Sequence, residues 1–498
     1  MVRFLGTETE YGIATPTDPT VSPIITSTHL VVAYAGHTQR TRWDFAPESP
    51  LKDSRGFDLR RYHHVPVVDP RALGVANVVT TAGARFYVDH AHPEYSSPET
   101  TNAWDAMIYD AAGDLVLNAA VAAVAEYSAA GESVLDNHPP CPPLKIYKNN
   151  VDGKGASYGA HENYLYHRTT DFDVLAQALI PFFIARQVIT GAGRVGLGQH
   201  GEDAGYQISQ RADYIEQQIS LETTLNRGII NTRDESHATD DLARLHVIIG
   251  DANMSQTATF LKLGMTKLVI DAVERGVDFS DLTVTAPVAE VSRVSWDLTC
   301  THRIALVDGR ALTAIEILRE YHSRVTATDP VDEQVLKLWS HVMELLAADP
   351  LSTAHMLDWT AKLALLRGYE QRGVAWSDPK MALIDLQYSD IDPTKSLYHA
   401  LVRKGRMVTL ADAETIAAAA HTPPTDSRAF LRGGMMDRFA ADIAAANWDS
   451  LTLTDGTVIP MSAPADATFD HVGELIKQAA SAADVAAALA RRRQAGDV

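Results

Sequence analysis

Apolar and polar positions alternate in several short stretches of the chain and recur at helical spacing in longer ones. In Arg85–His90, Phe86 and Val88 fall on one side while Arg85, Tyr87 and Asp89 fall on the other, the period of a half-buried strand. Tyr158–Tyr166 alternates in the same way, Arg3–Gly12 reads as a short strand entering a turn, and Arg244–Gly250 reads as a buried strand. Helical spacing predicts helices near Thr28–Ala35 and over Thr101–Ala130, Phe172–Thr190, Gln256–Arg275, Thr313–Tyr321 and Glu333–Ala347. The tail from His471 to Arg493 reads as one Ala-rich helix, with Arg491, Arg492 and Arg493 where cations suit a helix C-terminus. Gly36–Thr80 follows neither period. A stretch of 45 such residues is long for a loop and is usually functional or mobile, a passive insertion being the alternative. The Pro-rich stretch His421–Asp426 marks a seam, giving a large unit over 1–425 and a small one over 426–498.

Composition narrows this picture. The 498 residues are 46% hydrophobic and 21% charged, enough for a sizeable core in one large catalytic unit with an appendage, or in two to four average domains. Lys plus Arg number 43 against 63 Asp plus Glu, a net charge of −20 that argues against nonspecific nucleic-acid binding and against anionic membranes. Cys141 and Cys300 are too few for a disulfide framework and lack CxxC spacing, which points to a reducing cytoplasm. The first residues lack the apolar run of a signal peptide. The longest apolar stretches, Leu115–Ala125 and Val174–Ile189, are short and interrupted, and read as buried helices rather than membrane spans.

Four clusters could carry chemistry. Glu8 and Glu10 stand two apart, so a strand turns both carboxylates to one face; they repel unless a cation or water relieves them, and an exposed edge strand is the plain alternative. Tyr87 and Asp89 share a strand face, with His92, Glu94 and Glu99 in the next ten residues, an oxygen-rich set suited to Mg²⁺. In Gly159–Leu165, His161 and Asn163 face one way and Glu162 the other. Arg227 and Arg233 could hold phosphate or carboxylate through bidentate pairing, or form surface salt bridges. Gly191–Gly196 matches GxGxxG but follows a predicted helix and opens none, so it is no dinucleotide loop; Gly153-Lys-Gly lacks the other residues of a phosphate loop.

Taken in order, Gly6-Thr-Glu-Thr-Glu-Tyr-Gly, Tyr87-Val-Asp-His-Ala-His-Pro-Glu-Tyr, Gly159-Ala-His-Glu-Asn-Tyr-Leu, Ile230-Asn-Thr-Arg-Asp-Glu, Arg244–Ser255 and Ala445-Ala-Asn-Trp-Asp span nearly the whole chain. Together they resemble the Pup deamidase/depupylase (Dop) family, whose sister is the Pup ligase PafA, within the carboxylate-amine ligase superfamily of glutamine synthetase. The resemblance implies an α+β fold: a glutamine-synthetase-like concave antiparallel sheet cradle, backed by helices, with a small C-terminal domain. It implies ATP, or ADP with phosphate, and Mg²⁺ in the cradle. It makes Glu8, Tyr87 and Glu94 ligands of one Mg²⁺ and Glu10 and His161 ligands of a second, with Glu99 an addition. Arg85, Ser97 and Arg227 would approach the nucleotide phosphates, and Trp448 would contact the nucleotide.

The resemblance further implies that Asp89 is essential, either as a nucleophile on the side-chain carbonyl at the C-terminus of Pup or as a base activating water. The implied activity is ATP-dependent deamidation of Pup's C-terminal Gln and cleavage of the Pup–lysine isopeptide bond. The alternatives are a Pup ligase working through a γ-glutamyl phosphate, and a non-catalytic Pup-binding module. The Gly36–Thr80 insertion, placed by the site, favours the hydrolase, because the resemblance gives it to the depupylases and not to the ligases; the short Asp89-to-Glu94 spacing points the same way. The implied partners are Pup and pupylated proteins. Pup being acidic by the same resemblance, a chain of −20 needs a local basic groove to receive it.

Overall fold

The alternating segments pair into one sheet. A computed structural model describes residues 2–36, 41–49, 51–56, 72–152, 155–197 and 201–495. The eight strands of its main sheet are β1 (Leu5–Glu10), β2 (Asn77–Val79), β3 (Arg85–Asp89), β4 (His92–Ser96), β5 (Ala160–His167), β6 (Ile215–Ser220), β7 (Arg227–Asn231) and β8 (Leu242–Val247). Their spatial order is β6-β7-β8-β5-β1-β4-β3-β2, and every pairing is antiparallel except the parallel β6–β7. β1 is therefore central. The exposed edge-strand alternative for Glu8 and Glu10 fails, because β5 and β4 bond its two sides.

One face of the sheet is covered by α1 (Pro23–Ala35), α2 (Ala103–Ala129), α3 (Phe172–Thr190) and α4 (Gln256–Glu274). Phe86, Val88, Tyr95, Tyr164 and Leu245 point into the core these helices complete with Leu117, Phe183, Leu261 and Leu268. Three of the helices begin on side chains that accept otherwise unpaired backbone N–H groups: Asn102, Asp171 and Ser255. α2 and α3 are long and apolar enough to cross a membrane, yet 61% and 78% of their most apolar windows are buried inside the fold, which makes them core helices. Glu162 faces this core, where it meets Arg186 at 2.6 Å and accepts from Tyr164 at 2.7 Å. Its neighbours His161 and Asn163 face the other way, as the alternation requires.

Two expectations need correction. Gly36–Thr80 is not patternless throughout: Asn77–Val79 is β2, and Arg42–Trp43 pairs with Ile443–Ala446 at the edge of a four-stranded sheet completed by Ser450–Leu453 and Val458–Pro460. Strands of two and three residues are too short to display a period. Arg40, Asp58, Arg60, Arg61, Asp69, Arg71 and the three histidines of the segment lie outside the described residues. The tail is two helices, Phe469–Gln478 and Ala482–Ala495. Ala479 is extended, and the Ser481 hydroxyl accepts from the Asp484 N–H at 3.2 Å, starting a new helix. The C-terminal residues build their own apolar core from Leu431, Met435, Leu451, Val472, Val485 and Leu489, and Trp43 and Val79 join it.

Candidate active site

Opposite the helices, the sheet floors a cavity of about 730 Å³. Strand register assembles its acids. Glu8 lies across from His161 and Glu10 across from Glu94, which in turn faces Tyr87; Asp89 faces His92. Two groups result. Glu8, His161 and His246 each bring one ligand atom within 4.8 Å of the others, and so do Glu10, Asp89 and Glu94.

The two groups differ electrically. Burial pushes Glu8 up, but its hydrogen bond to His161 and the nearby His246 and Arg244 overcome it and hold Glu8 well below the usual carboxylate range. His161 Nδ1 is 3.4 Å from Glu8, and His246 Nε2 is 3.7 Å away. Burial, reinforced by Arg244, brings His246 down to about 3, so its ring is neutral. In the second group burial and the charges of Asp89, Glu10 and Glu8 drive Glu94 well above the carboxylate range. Burial also raises Glu10, yet His92, His161 and the Gly159 N–H lower it overall. Tyr87, buried beside Glu94, is raised and stays protonated. Asp89 ends β3 with its side chain 39% exposed and accepts from His90, whose Nδ1 is 2.8 Å away. That contact lifts His90 to about 8, and His90 takes a left-handed backbone, φ 51°.

Arginines ring the cavity: Arg85, Arg211, Arg227, Arg233 and Arg244. Arg85 lies between two rings, its guanidinium carbon 3.7 Å from Tyr87 and 3.9 Å from Trp43, with Nε donating to Asn77 at 2.7 Å. Arg227 donates to the Thr223 and Ser157 carbonyls. Among the described residues the Nε atoms of Arg211, Arg233 and Arg244 have no hydrogen-bond partner, and neither ring nitrogen of buried His246 has one. Unpaired buried donors beside uncompensated carboxylates fit a divalent cation carrying an anion such as phosphate.

Of the residues expected from sequence, Glu8, Glu10, Arg85, Tyr87, Asp89, Glu94, His161, Arg227 and Trp448 all line this cavity. Register seats Glu8 opposite His161 and Glu10 opposite Glu94, and His161 also stands close enough to Glu10 to lower it. Ser97 and Glu99 instead line an adjoining cavity of about 80 Å³ that shares Glu8, Arg244 and Trp448. The Ser97 hydroxyl accepts from the Thr7 N–H at 2.9 Å, and the residue that faces the main cavity is Ser96. Glu99 is corrected: both carboxylate oxygens are taken by Arg428 (2.8 Å) and Arg432, so it joins neither acidic group. His246 and Arg211 had no role assigned from sequence, and His92 was named only as a member of the set running from Tyr87 to Glu99. The spacing Arg244-x-His246 on a strand, two residues and one face, was the signal for His246.

A mostly antiparallel sheet with acids on its cavity floor and arginines around it is the frame of an enzyme of the glutamine-synthetase-like fold, as the match to the solved PafA structures shows. The chain matches the family described as "Pup-ligase protein" over residues 3–452 and belongs to that family. It is 49% identical over 503 aligned positions to the "Pup deamidase/depupylase" of Mycolicibacterium smegmatis, covering 97% of this chain and 99% of the relative. Among solved structures it is similar to the ligase PafA in complex with Pup (TM-score 0.77, 28% identity, 95% of this chain and 92% of that one). It is also similar to PafA with ADP (TM-score 0.71, 31% identity, 83% and 95%).

Proposed function

We infer that the chain is a Pup deamidase and depupylase: it hydrolyses the side-chain amide of Pup's C-terminal Gln and the isopeptide bond between Pup and a substrate lysine. The observation that carries this is 49% identity to a Pup deamidase/depupylase along almost the full length of both chains, against 37–38% over 73–76% of this chain to Pup–protein ligases. The partner is Pup, and by extension pupylated proteins. Buried free thiols at Cys141 and Cys300 support a reducing cytoplasm as its setting.

We assign the nucleotide, ATP or ADP, to the large cavity, where Arg85, Arg227 and Arg233 would meet its phosphates and Trp448 forms a wall. Glu8 with His161 and His246, and Glu10 with Glu94 beside Tyr87, are the groups that would hold Mg²⁺. When bound, the metal–nucleotide unit supplies positive charge and a phosphate at the acidic floor; amide hydrolysis itself needs no coupling to ATP. Asp89 supplies the reacting carboxylate. As nucleophile, its oxygen attacks the amide carbonyl, the nitrogen leaves as ammonia or lysine amine after taking a proton, and water cleaves the resulting anhydride. As base, it takes a proton from the water that attacks instead. The residues 1–425 form the catalytic unit, with the described residues Phe45, Glu48 and Gly74–Ala76 of the 36–80 segment lining the cavity, and 426–498 the smaller unit; the apolar core of the latter supports this division.

Incubation with Pup ending in Gln, and with a Pup–lysine conjugate, each with Mg-ATP, tests the reading. Ammonia and free substrate are the expected products. Conjugate formation with stoichiometric ADP would make the chain a ligase.

A further inference from the structure

Glu99 has the composition of a site residue and the contacts of something else. It lies three residues beyond β4, on the segment that carries Glu94, yet its carboxylate turns to the C-terminal unit. Arg428 donates Nε to it at 2.8 Å and gives its remaining bonds to the His237 and Met461 carbonyls. Arg432, on the helix Ala429–Phe439, reaches both oxygens of Glu99 and donates to the Gly83 carbonyl at 2.8 Å and the Trp448 carbonyl at 3.0 Å. The Arg432 guanidinium carbon is 4.9 Å from the centre of the Trp448 ring, which meets Trp43 edge-on at 5.4 Å. Trp448 lines both cavities.

We propose that Glu99 is a positioning residue that fixes the Trp448 wall of the cavity by orienting Arg432. A guanidinium that holds a bidentate carboxylate has its plane set. With its plane set, Arg432 can donate to the Trp448 carbonyl and rest against the indole at once, so backbone and ring are placed from one point. Arg428 and Arg432 are 2% and 1% exposed, and Glu99 is the acid that pairs with both. The arrangement also explains why a carboxylate so near the acidic floor takes no part in it. The functional half of this inference rests on the reading that the large cavity holds a nucleotide.

The test uses Glu99→Gln, which keeps size and polar atoms but removes the charge that orients Arg432. The chain has seven tryptophans, so the Trp448 signal is the difference between otherwise identical proteins with and without Trp448→Phe. In protein free of nucleotide, Glu99→Gln is expected to shift that difference emission and raise its quenching by acrylamide. The dissociation constant of Mg-ADP is expected to rise by up to about 10- to 100-fold, the ~1–3 kcal/mol that an aromatic contact to a base is worth. The rise should be much smaller when Trp448→Phe is already present, because both changes act through one ring. Glu99→Asp should recover part of the affinity. An unchanged Trp448 signal would overturn the proposal, and so would a shifted Mg²⁺ half-saturation, which would make Glu99 a metal ligand. A changed signal with unchanged nucleotide affinity in both variants would uphold the positioning role and remove the nucleotide from this wall. Should Glu99→Gln fail to fold, Arg432→Lys keeps a cation but loses the fork and the ring contact. It should reproduce both the signal and the affinity change, and a silent Arg432→Lys overturns the proposal.

Discussion

Glu94 and Glu99 sit five residues apart, and the protein treats them oppositely. Glu99 meets two guanidinium groups and is held down at about 2: burial raises it, and Arg432 and Arg428 more than reverse that. Glu94 is buried without such a partner, among Asp89, Glu10 and Glu8, and is driven up. A buried acid whose cations come from the chain is a fastening. A cluster of buried acids whose cations do not come from the chain costs stability as it stands, and persists because something outside the chain neutralises it. The same rule sorts Glu162, paired with Arg186 behind the sheet, from Glu94 in front of it.

The largest effect expected from this contrast is at Asp89, the most open acid of the uncompensated cluster. Asp89→Asn keeps size but removes the charge and the reacting oxygen. Single-turnover hydrolysis of Pup-Gln and of Pup–lysine should fall by about 10²- to 10⁴-fold, the range of positioned base catalysis. Thermal unfolding and Mg-ADP binding should be nearly unchanged. A stable variant retaining a tenth of the rate or more would take Asp89 out of the mechanism.

Next is the cluster's need for a cation. Glu94→Gln removes one of the mutually repelling charges, so in EDTA the variant should be at least as stable as the unsubstituted protein. Added Mg²⁺ should stabilise the unsubstituted protein, by about 2.7 kcal/mol at a hundred times the dissociation constant, and the variant much less. Thermal unfolding with and without Mg²⁺ measures both. Equal Mg²⁺ stabilisation of the two proteins would show that Glu94 is not a ligand.

How much of this was legible in sequence follows from the same contrast. Alternation alone put Phe86 and Val88 inward and Tyr87 and Asp89 into the cavity, and the burial of the two strand faces agrees. Glu94 and Glu99 could not be told apart, because each is a Glu shortly after a Pro, and what separates them is Arg428 and Arg432, more than 300 residues away. His246 stayed unassigned because it joins Glu8 across β5, a pairing between strands distant in the chain. Trp43 was hidden in a patternless stretch because its strand has two residues and its partner strand lies at Ile443–Ala446.

The Glu99 fastening has a pH signature. Its carboxyl is held at about 2 in the folded protein against an ordinary 4.5. A lowered folded value means the stabilisation is complete above the unfolded value and is lost as pH falls through the folded one. The gap corresponds to about 3 kcal/mol. The difference in unfolding free energy between unsubstituted protein and Glu99→Gln should therefore be largest above pH 4.5 and shrink as pH falls toward 2. Chemical denaturation across that range checks it, and a difference that does not vary with pH would mean Glu99 contributes through shape and not charge.

The smallest effect is expected where the same pairing stands in water. Asp281, like Glu99, holds two arginines, Arg324 at 2.5 Å and Arg310 at 2.9 Å. It too is brought to about 2, first by its hydrogen bond to Arg324. By geometry and titration alone the two sites would count as equals. The difference is exposure: the Asp281 side chain is 41% exposed and that of Glu99 17%. At an open site water screens the attraction, and neither guanidinium is stranded when the acid is removed, since each can turn to solvent. Exposed pairs contribute about 0–1 kcal/mol for these reasons. Asp281→Asn should accordingly cost less than about 1 kcal/mol, and the cost should shrink further as salt rises, because the screening length falls to about 3 Å at 1 M. Glu99→Gln, leaving two buried arginines short of their acid, should cost several times more and depend little on salt. Denaturation of both variants in low and high salt makes the comparison directly. Equal costs would mean that the number of arginines sets the strength of such a fastening, and that burial, on which the contrast between Glu99 and Glu94 depends, is not what gives these acids their different roles.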